Sequence, residues 1–341
     1  MNMVIRIELK KDFEWEDIDI NSTEHLTCVS DFISRHNSKK FYCHYDVNHL
    51  KWLLTLNKSY CICIKNKKRN NIVGIIAATV KKFQVHKYQK NIVEILFVYT
   101  HRHIKDENLD KKLREELERK IKEDHYEHIM WISDKKEESF GEYKSYKRGI
   151  NFDNLISSKY LNMDKKINIE YLKDTHYLPN KCNIKMRLLE KEDLESIYYL
   201  YGRYCEKFNI YEILSYDEFV RRFDNKYIDV YVVVENSKII DFISIVKMVL
   251  RKVGDKNRQI TACKIYYYTV IEEILLKLIK NLLICVKEKY DIIMMDDVME
   301  NGSIVYDQNF IDSKIVKYYN KKNMNLLKLK KEQIGFISIT N

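Results

Sequence analysis

The chain has 341 residues, with 60 Lys and Arg against 50 Asp and Glu, a formal net charge of +10, 45% hydrophobic residues and 32% charged residues. That balance excludes a disordered or low-complexity protein, and the length suits two cores rather than one. A single proline and seven glycines leave few breaks, so long regular elements are expected, and no apolar run of about 18 residues suggests a membrane span.

Residues 12–19, DFEWEDID, open the fold, and a helix follows near 23–37. A second helix is predicted over 46–56, with Leu50, Trp52, Leu53 and Leu56 on its apolar side. Residues 59–65 alternate as a strand, and NNIVGIIAATVKKFQV is a turn feeding a long one. NIVEILFVYT (91–100) is a buried strand, a charged amphipathic helix spans about 107–124, and EHIMWIS (127–133) is a further strand. Strand, strand, helix, strand is the core of an acetyltransferase-like α/β domain. Pattern weakens between 134 and 180, and Pro179 marks a domain boundary, giving halves 1–178 and 179–341. Beyond it the order repeats: KMRLL and a helix, the strand pair YIDVYVVVE and KIIDFISIVKMVL, the strand QITACKIYYYTV, the periodic helix EEILLKLIKNLLICVKEK and the buried strand DIIMMDDV. The repeat is of architecture, not of visible sequence.

The eight cysteines are scattered. Cys61 and Cys63 lie in an alternating strand with no second pair at zinc spacing, so no metal site is expected. Scattered thiols suit a reducing compartment, and a cytoplasmic location is expected. Lys and Glu are interspersed, as in KKLREELERKIKED, which is a solvated helix face. No nucleic-acid motif is visible, and neither a nucleic-acid partner nor a membrane span is expected; binding to nucleic acid or an anionic surface through the net charge is a minor alternative.

Collinear blocks from about residue 13 to 339 resemble the N-myristoyltransferase family. DFEWEDIDI is similar to that family's G-F-x-W-x-x-L-D, and KFYCHYDVNHLKWLL (40–54) to M-F-R-F-x-Y-S-x-E-F-L-x-W-A-L. VEILFVYTHRHIKDENL resembles V-E-I-N-F-L-C-V-H-K-K-L-R-S-K-R-L, and IYYYT resembles Y-S-F-Y-N. YDIIMMDDVMEN (290–301) resembles F-D-V-F-N-A-L-D-L-M-E-N, and the terminal IGFISI resembles V-G-L-V-L. The resemblance implies two acetyltransferase-like halves sharing a saddle-shaped sheet, and a monomer. It implies an acyltransferase that moves a myristoyl group from myristoyl-CoA, a co-substrate, to the N-terminal glycine of a peptide or protein, with no tightly bound cofactor.

The same resemblance assigns roles by position. The backbone amides of Phe97 and Val98 would polarise the thioester carbonyl, and Lys105, Asn108 and Leu109 would lie along the CoA pyrophosphate. Tyr45, Tyr266, Tyr268 and Thr269 would line the peptide site, and the carboxylate of Asn341 would be the base. Asp106, Glu107 and Asp110 stand where the family has small or basic residues, which predicts weaker CoA binding. A scaffold that keeps the fold without catalysis is the alternative reading.

Overall fold

The computed structural model describes residues 6–37, 39–104, 108–161, 168–269 and 272–340. The first half runs β1 (Phe13–Asp17), α1 (Thr23–His36), β2 (Phe41–Cys43), α2 (Val47–Thr55), β3 (Ser59–Asn66), β4 (Asn71–Val85), β5 (Tyr88–Thr100), α3 (Leu109–Glu123), β6 (His128–Ser133) and β7 (Ser139–Gly149). Two short helices, α4 (Phe152–Ser157) and α5 (Ile169–Thr175), lie in the crossing segment. The second half runs β8 (Met186–Leu188), α6 (Leu194–Cys205), β9 (Ile210–Glu212), α7 (Tyr216–Phe223), β10 (Ile228–Glu235), β11 (Lys238–Lys252), β12 (Asp255–Tyr268), α8 (Glu272–Val286), β13 (Ile292–Asp296), β14 (Ile311–Lys322) and β15 (Ile334–Gly335).

The helices start where short polar side chains can hold the first free amides. Ser22 accepts from the His25 amide at the head of α1, and Asp46 accepts from the His49 amide at the head of α2. In α3, Leu109, Leu113, Leu117 and Ile121 recur every fourth residue and are buried on Ile62, Ile64, Val73 and Ile76 of β3 and β4. Each such burial contributes about 1.5–3 kcal/mol. Most of the remaining charged side chains of that helix face outward, while Glu116 is buried and takes Arg119, which also pairs with Glu123.

One continuous sheet runs β1-β3-β4-β5-β6-β14-β7-β13-β12-β11-β10-β8. Within it β5 and β6 are parallel, as are β12 and β13, each pair bridged by a crossover helix, α3 or α8. The two halves therefore repeat antiparallel, antiparallel, parallel in the same order, and within each half the strands and helix follow the order that the sequence pattern predicts.

At the centre the halves exchange strands. The last strand of the first half, β7, pairs with β13 of the second, while β14 of the second half pairs with β6 of the first. The exchange is repeated further out: β2 lies on β11, and β9 lies on β4. Neither β7 nor β14 is predicted from the sequence. β7 alternates small, charged and aromatic residues between two neighbours, and β14 is bulged between Asp312 and Val316, which breaks its period of two.

Candidate functional site

Two features of β5 distinguish its middle. Ala78 pairs with Ile95 and Ala77 with Phe97, so Leu96 is an extra residue that bulges the strand. The parallel ladder to β6 ends at Ile95 with Trp131, while β5 continues to Thr100. The amides of Phe97 and Val98 thus lie just past the point where the two strands part. The second half repeats this arrangement. β12 bulges between its pairings of Ile265 and Tyr268 with β11, and its ladder to β13 ends at Lys264 with Met294.

Aromatic rings line the first parting. Tyr45 stacks on Phe97 at 6.4 Å between centroids, and Phe97 packs on Tyr99 at 5.9 Å. The Tyr99 hydroxyl accepts from Asn37 at 3.2 Å. Burial pushes the Cys43 thiol and the Tyr99 hydroxyl up to about 12, and pushes Tyr45 well above its ordinary range. All three stay protonated near neutrality, so this wall is uncharged.

The chain returns to the same place at its end. β15 pairs in parallel with β9, and Phe336, Ile337, Ser338, Ile339 and Thr340 are all buried. Two glycines permit the close approach. A Cβ on Gly141 would lie 2.6 Å from Ile334, and one on Gly335 would lie 2.5 Å from Cγ of Phe208. Phe336 is held by Phe83 at 5.0 Å and Tyr319 at 5.2 Å, and the Tyr319 hydroxyl donates to the Phe336 carbonyl at 3.4 Å. The apolar alternation of IGFISI predicts a buried strand; burial is observed, but only Ile334–Gly335 is strand. The rest is held by side chains rather than by a ladder.

Those side chains form a buried ionic network. The Ser338 hydroxyl donates to Glu94 of β5 at 2.8 Å, and Lys264 of β12 donates to the Ser338 carbonyl at 3.3 Å. Glu94 pairs with Lys81 at 2.6 Å, and Lys81 lies 3.7 Å from Glu212. Glu212 accepts from both terminal guanidinium nitrogens of Arg222, at 2.5 and 2.7 Å, and Arg222 also donates to the Tyr266 hydroxyl at 3.3 Å. Lys264 pairs with Asp296 at 2.6 Å, and Asp296 accepts from Ser145 at 2.5 Å. Three cations meet three carboxylates, so the network is neutral as a whole. Burial would raise the Glu212 carboxyl, but Arg222 and Lys81 together hold it below the usual range. Burial would likewise lower Lys81, but Glu212 and Glu94 hold it above its ordinary value.

The comparisons with known proteins bear on this arrangement. Residues 5–132 match the model of the myristoyl-CoA:protein N-myristoyltransferase N-terminal domain, and residues 157–335 match that of its C-terminal domain. The chain belongs to the N-myristoyltransferase family. It is 22% identical over 342 aligned residues to a probable glycylpeptide N-tetradecanoyltransferase of Caenorhabditis elegans, covering 95% of this chain and 76% of that one. It is also 22% identical to glycylpeptide N-tetradecanoyltransferase 2 of Bos taurus, covering 91% of this chain and 66% of that protein. The Saccharomyces cerevisiae N-myristoyltransferase solved with bound myristoyl-CoA superposes with a TM-score of 0.90 at 19% identity, covering 98% of this chain and 91% of that one. The last likeness shows a shared N-myristoyltransferase fold.

Of the residues the family resemblance singles out, Phe97, Val98 and Tyr45 lie together at the β5 parting. Tyr266 joins the ionic network through Arg222. The Tyr268 hydroxyl accepts from the Glu300 amide at 3.2 Å, and its ring packs on Tyr204. The Thr269 hydroxyl accepts from the Phe242 amide at 3.2 Å, closing the β11–β12 ladder. Asn108 precedes α3 at a φ of 46°, and Leu109 is buried beneath that helix. Asp110, in the first turn, is paired by Arg114 at 3.0 Å, which offsets its charge. Lys105, Asp106, Glu107 and Asn341 lie outside the described residues.

Sequence reasoning misses Lys81, Glu94, Glu212, Arg222, Lys264, Asp296 and Ser338. A signal for three of them exists. A charge inside TVKKF, IVEILF and ACKIYY interrupts a strand that is otherwise apolar, and a charge is buried in such a place only when paired.

Proposed function

We propose that this chain is a divergent N-myristoyltransferase that transfers a fatty acyl group from acyl-CoA to the N-terminal amine of a glycine-initial peptide. The observation that carries this reading is the seating of Phe336–Thr340, gripped at Ser338 by Glu94 from one half and Lys264 from the other, beside the bulged stretch of β5. The amides of Phe97 and Val98 would take the thioester oxygen as it gains negative charge. The neutral wall of Tyr45, Phe97 and Tyr99 would exclude water from the acyl carbon. The amine nitrogen bonds to that carbon, the C–S bond breaks, and CoA leaves as the thiolate, which takes up the proton that the amine gives up through the base. The proton lost by the attacking amine goes to a base, which this reading assigns to the Asn341 carboxylate, one residue beyond the buried Thr340. Lys105 and the amides at the start of α3, from Asn108 and Leu109 onward, would face the CoA pyrophosphate.

A non-catalytic scaffold is the second reading, favoured by the acids Asp106, Glu107 and Asp110 in that stretch. Incubation with labelled myristoyl-CoA and a glycine-initial peptide, read by mass spectrometry, separates the two. Acylated peptide supports transfer. Absence of product, with or without acyl-CoA binding, overturns the transfer reading and supports the scaffold.

A further inference from the structure

The sulfurs of Cys182 and Cys285 lie 3.6 Å apart although 103 positions separate them in sequence. Cys182 is exposed, in the crossing segment that leads into β8, and Cys285 is half-buried in the last turn of α8. The approach is built rather than incidental. Asn281, itself buried on α8, accepts with its side-chain oxygen from the amides of Asn183 at 2.6 Å and Ile184 at 3.1 Å. Lys287, just past the end of α8, donates to the side chain of Asn180 at 2.5 Å and to the Pro179 carbonyl at 3.4 Å. The Cys182 thiol also points at the Asn281 carbonyl, 3.8 Å away. Contacts on both sides of Cys182 thus lay residues 179–184 along α8 and set the two thiols face to face.

We propose that Cys182 and Cys285 are a modification site, closing to an intrachain disulfide when the protein meets a low-molecular-weight disulfide of the glutathione type. The exposed Cys182 attacks first. Its thiolate bonds to one sulfur of the small disulfide, whose S–S bond breaks, and one small thiolate leaves and takes up a proton. Cys285 then gives its proton to solvent, and its sulfur attacks the Cys182 sulfur and expels the second small thiol. Two protein thiols lose two electrons and two protons, and one small disulfide becomes two thiols. The sulfurs must close from 3.6 Å to a bond of about 2.05 Å, a shift that side-chain rotation on the exposed partner supplies. Burial holds the Cys285 thiol above its ordinary range, so the second step is slow near neutrality and quickens with rising pH. The product staples the segment entering edge strand β8 to the helix behind it.

The test uses the full chain, reduced and then incubated with glutathione disulfide, quenched in acid, alkylated and digested without reductant. The expected result is a linked peptide pair containing Cys182 and Cys285, lighter by two hydrogen atoms than the sum of its two free peptides, and a higher melting temperature than the reduced protein. Cys285→Ser should stop at a glutathione adduct on Cys182, and Cys182→Ser should leave Cys285 unmodified. Exposed Cys28 serves as the internal control for simple adduct formation. Wild-type protein that keeps glutathione on Cys182 while Cys285 is alkylated overturns the proposal, and so does a disulfide joining two chains instead.

Discussion

Substituting Gly335 tests whether the end of the chain is held by close packing. A Cβ at this position would lie 2.5 Å from Cγ and 2.8 Å from Cβ of Phe208, where ordinary contact begins at 3.4 Å. The ring carbon Cδ2 of Phe208 comes closer still, so Gly335→Ala must displace one partner by about 1 Å, and overpacking of this kind costs about 1–3 kcal/mol. Phe208 cannot relieve it by rotating its ring alone, because its own Cβ is among the contacts and its ring is packed on Tyr204. The upper part of the range is expected, with a fall in melting temperature of several degrees. Phe208→Ala alone should cost about 3–5 kcal/mol, since the ring is buried. In the double variant the new methyl group fills space the ring has left, so its cost should fall short of the sum of the two single costs by about 1–3 kcal/mol. Urea denaturation of the four proteins measures the cycle, and carboxypeptidase digestion reports the seating of residues 336–340. Additivity to within about 0.5 kcal/mol would refute the reasoning.

Glu212→Gln should destabilise the protein by about 3–5 kcal/mol, because it leaves the fully buried Arg222 without its carboxylate and removes one of the two acids facing Lys81. Its depressed pKa adds a pH signature: the wild-type contribution is complete above the ordinary carboxylate range and is lost as pH falls through the lowered value, so urea titrations of the variant should show a flatter acid limb. His49, stacked on Tyr227 at 4.4 Å, is pushed down to about 4 by burial. Its neutral form is favoured by folding, so stability should fall as pH drops from about 6.5 to 4, by up to roughly 3 kcal/mol, and His49→Phe should remove that slope in denaturant titrations. If the proposed transfer reaction holds, residues added after Asn341 should abolish it while leaving the melting temperature unchanged; an undiminished rate in a single-turnover assay removes the terminal carboxylate from the mechanism.

The scaffold is legible in the sequence wherever burial is simple. β4, β5, β11, β12 and α8 carry long apolar or strictly periodic runs, and the structure forms each of them. β7 is not legible, because Arg148 and Tyr146 are buried in it beside the polar Ser145 and Lys147. Its neighbours answer those groups one by one: Asp296 takes Ser145, and Tyr160 accepts from Lys147. No period records such local pairing. The candidate site divides the same way. Phe97 and Val98 are found by resemblance, but the parting of β5 from β6 depends on how far each strand runs beside the other. The Glu212–Arg222 end of the ionic network is invisible because these residues come from a short strand and a helix whose charges look solvated until β9 is seen lying on β4.

The strand exchange constrains how the protein is made. As the chain leaves the ribosome, β6 emerges early, yet the strand that pairs with its outer side, β14, lies at residues 311–322. Until then the first half carries an open edge on a buried parallel strand, a template for pairing with other chains. The first half is thus an unfinished sheet throughout most of translation, and closing it is among the last events of synthesis. Pairings over such sequence separations fold slowly, so yield in a cell should depend on chaperone supply and on the rate of elongation through residues 134–310 more than on the stability of the finished molecule.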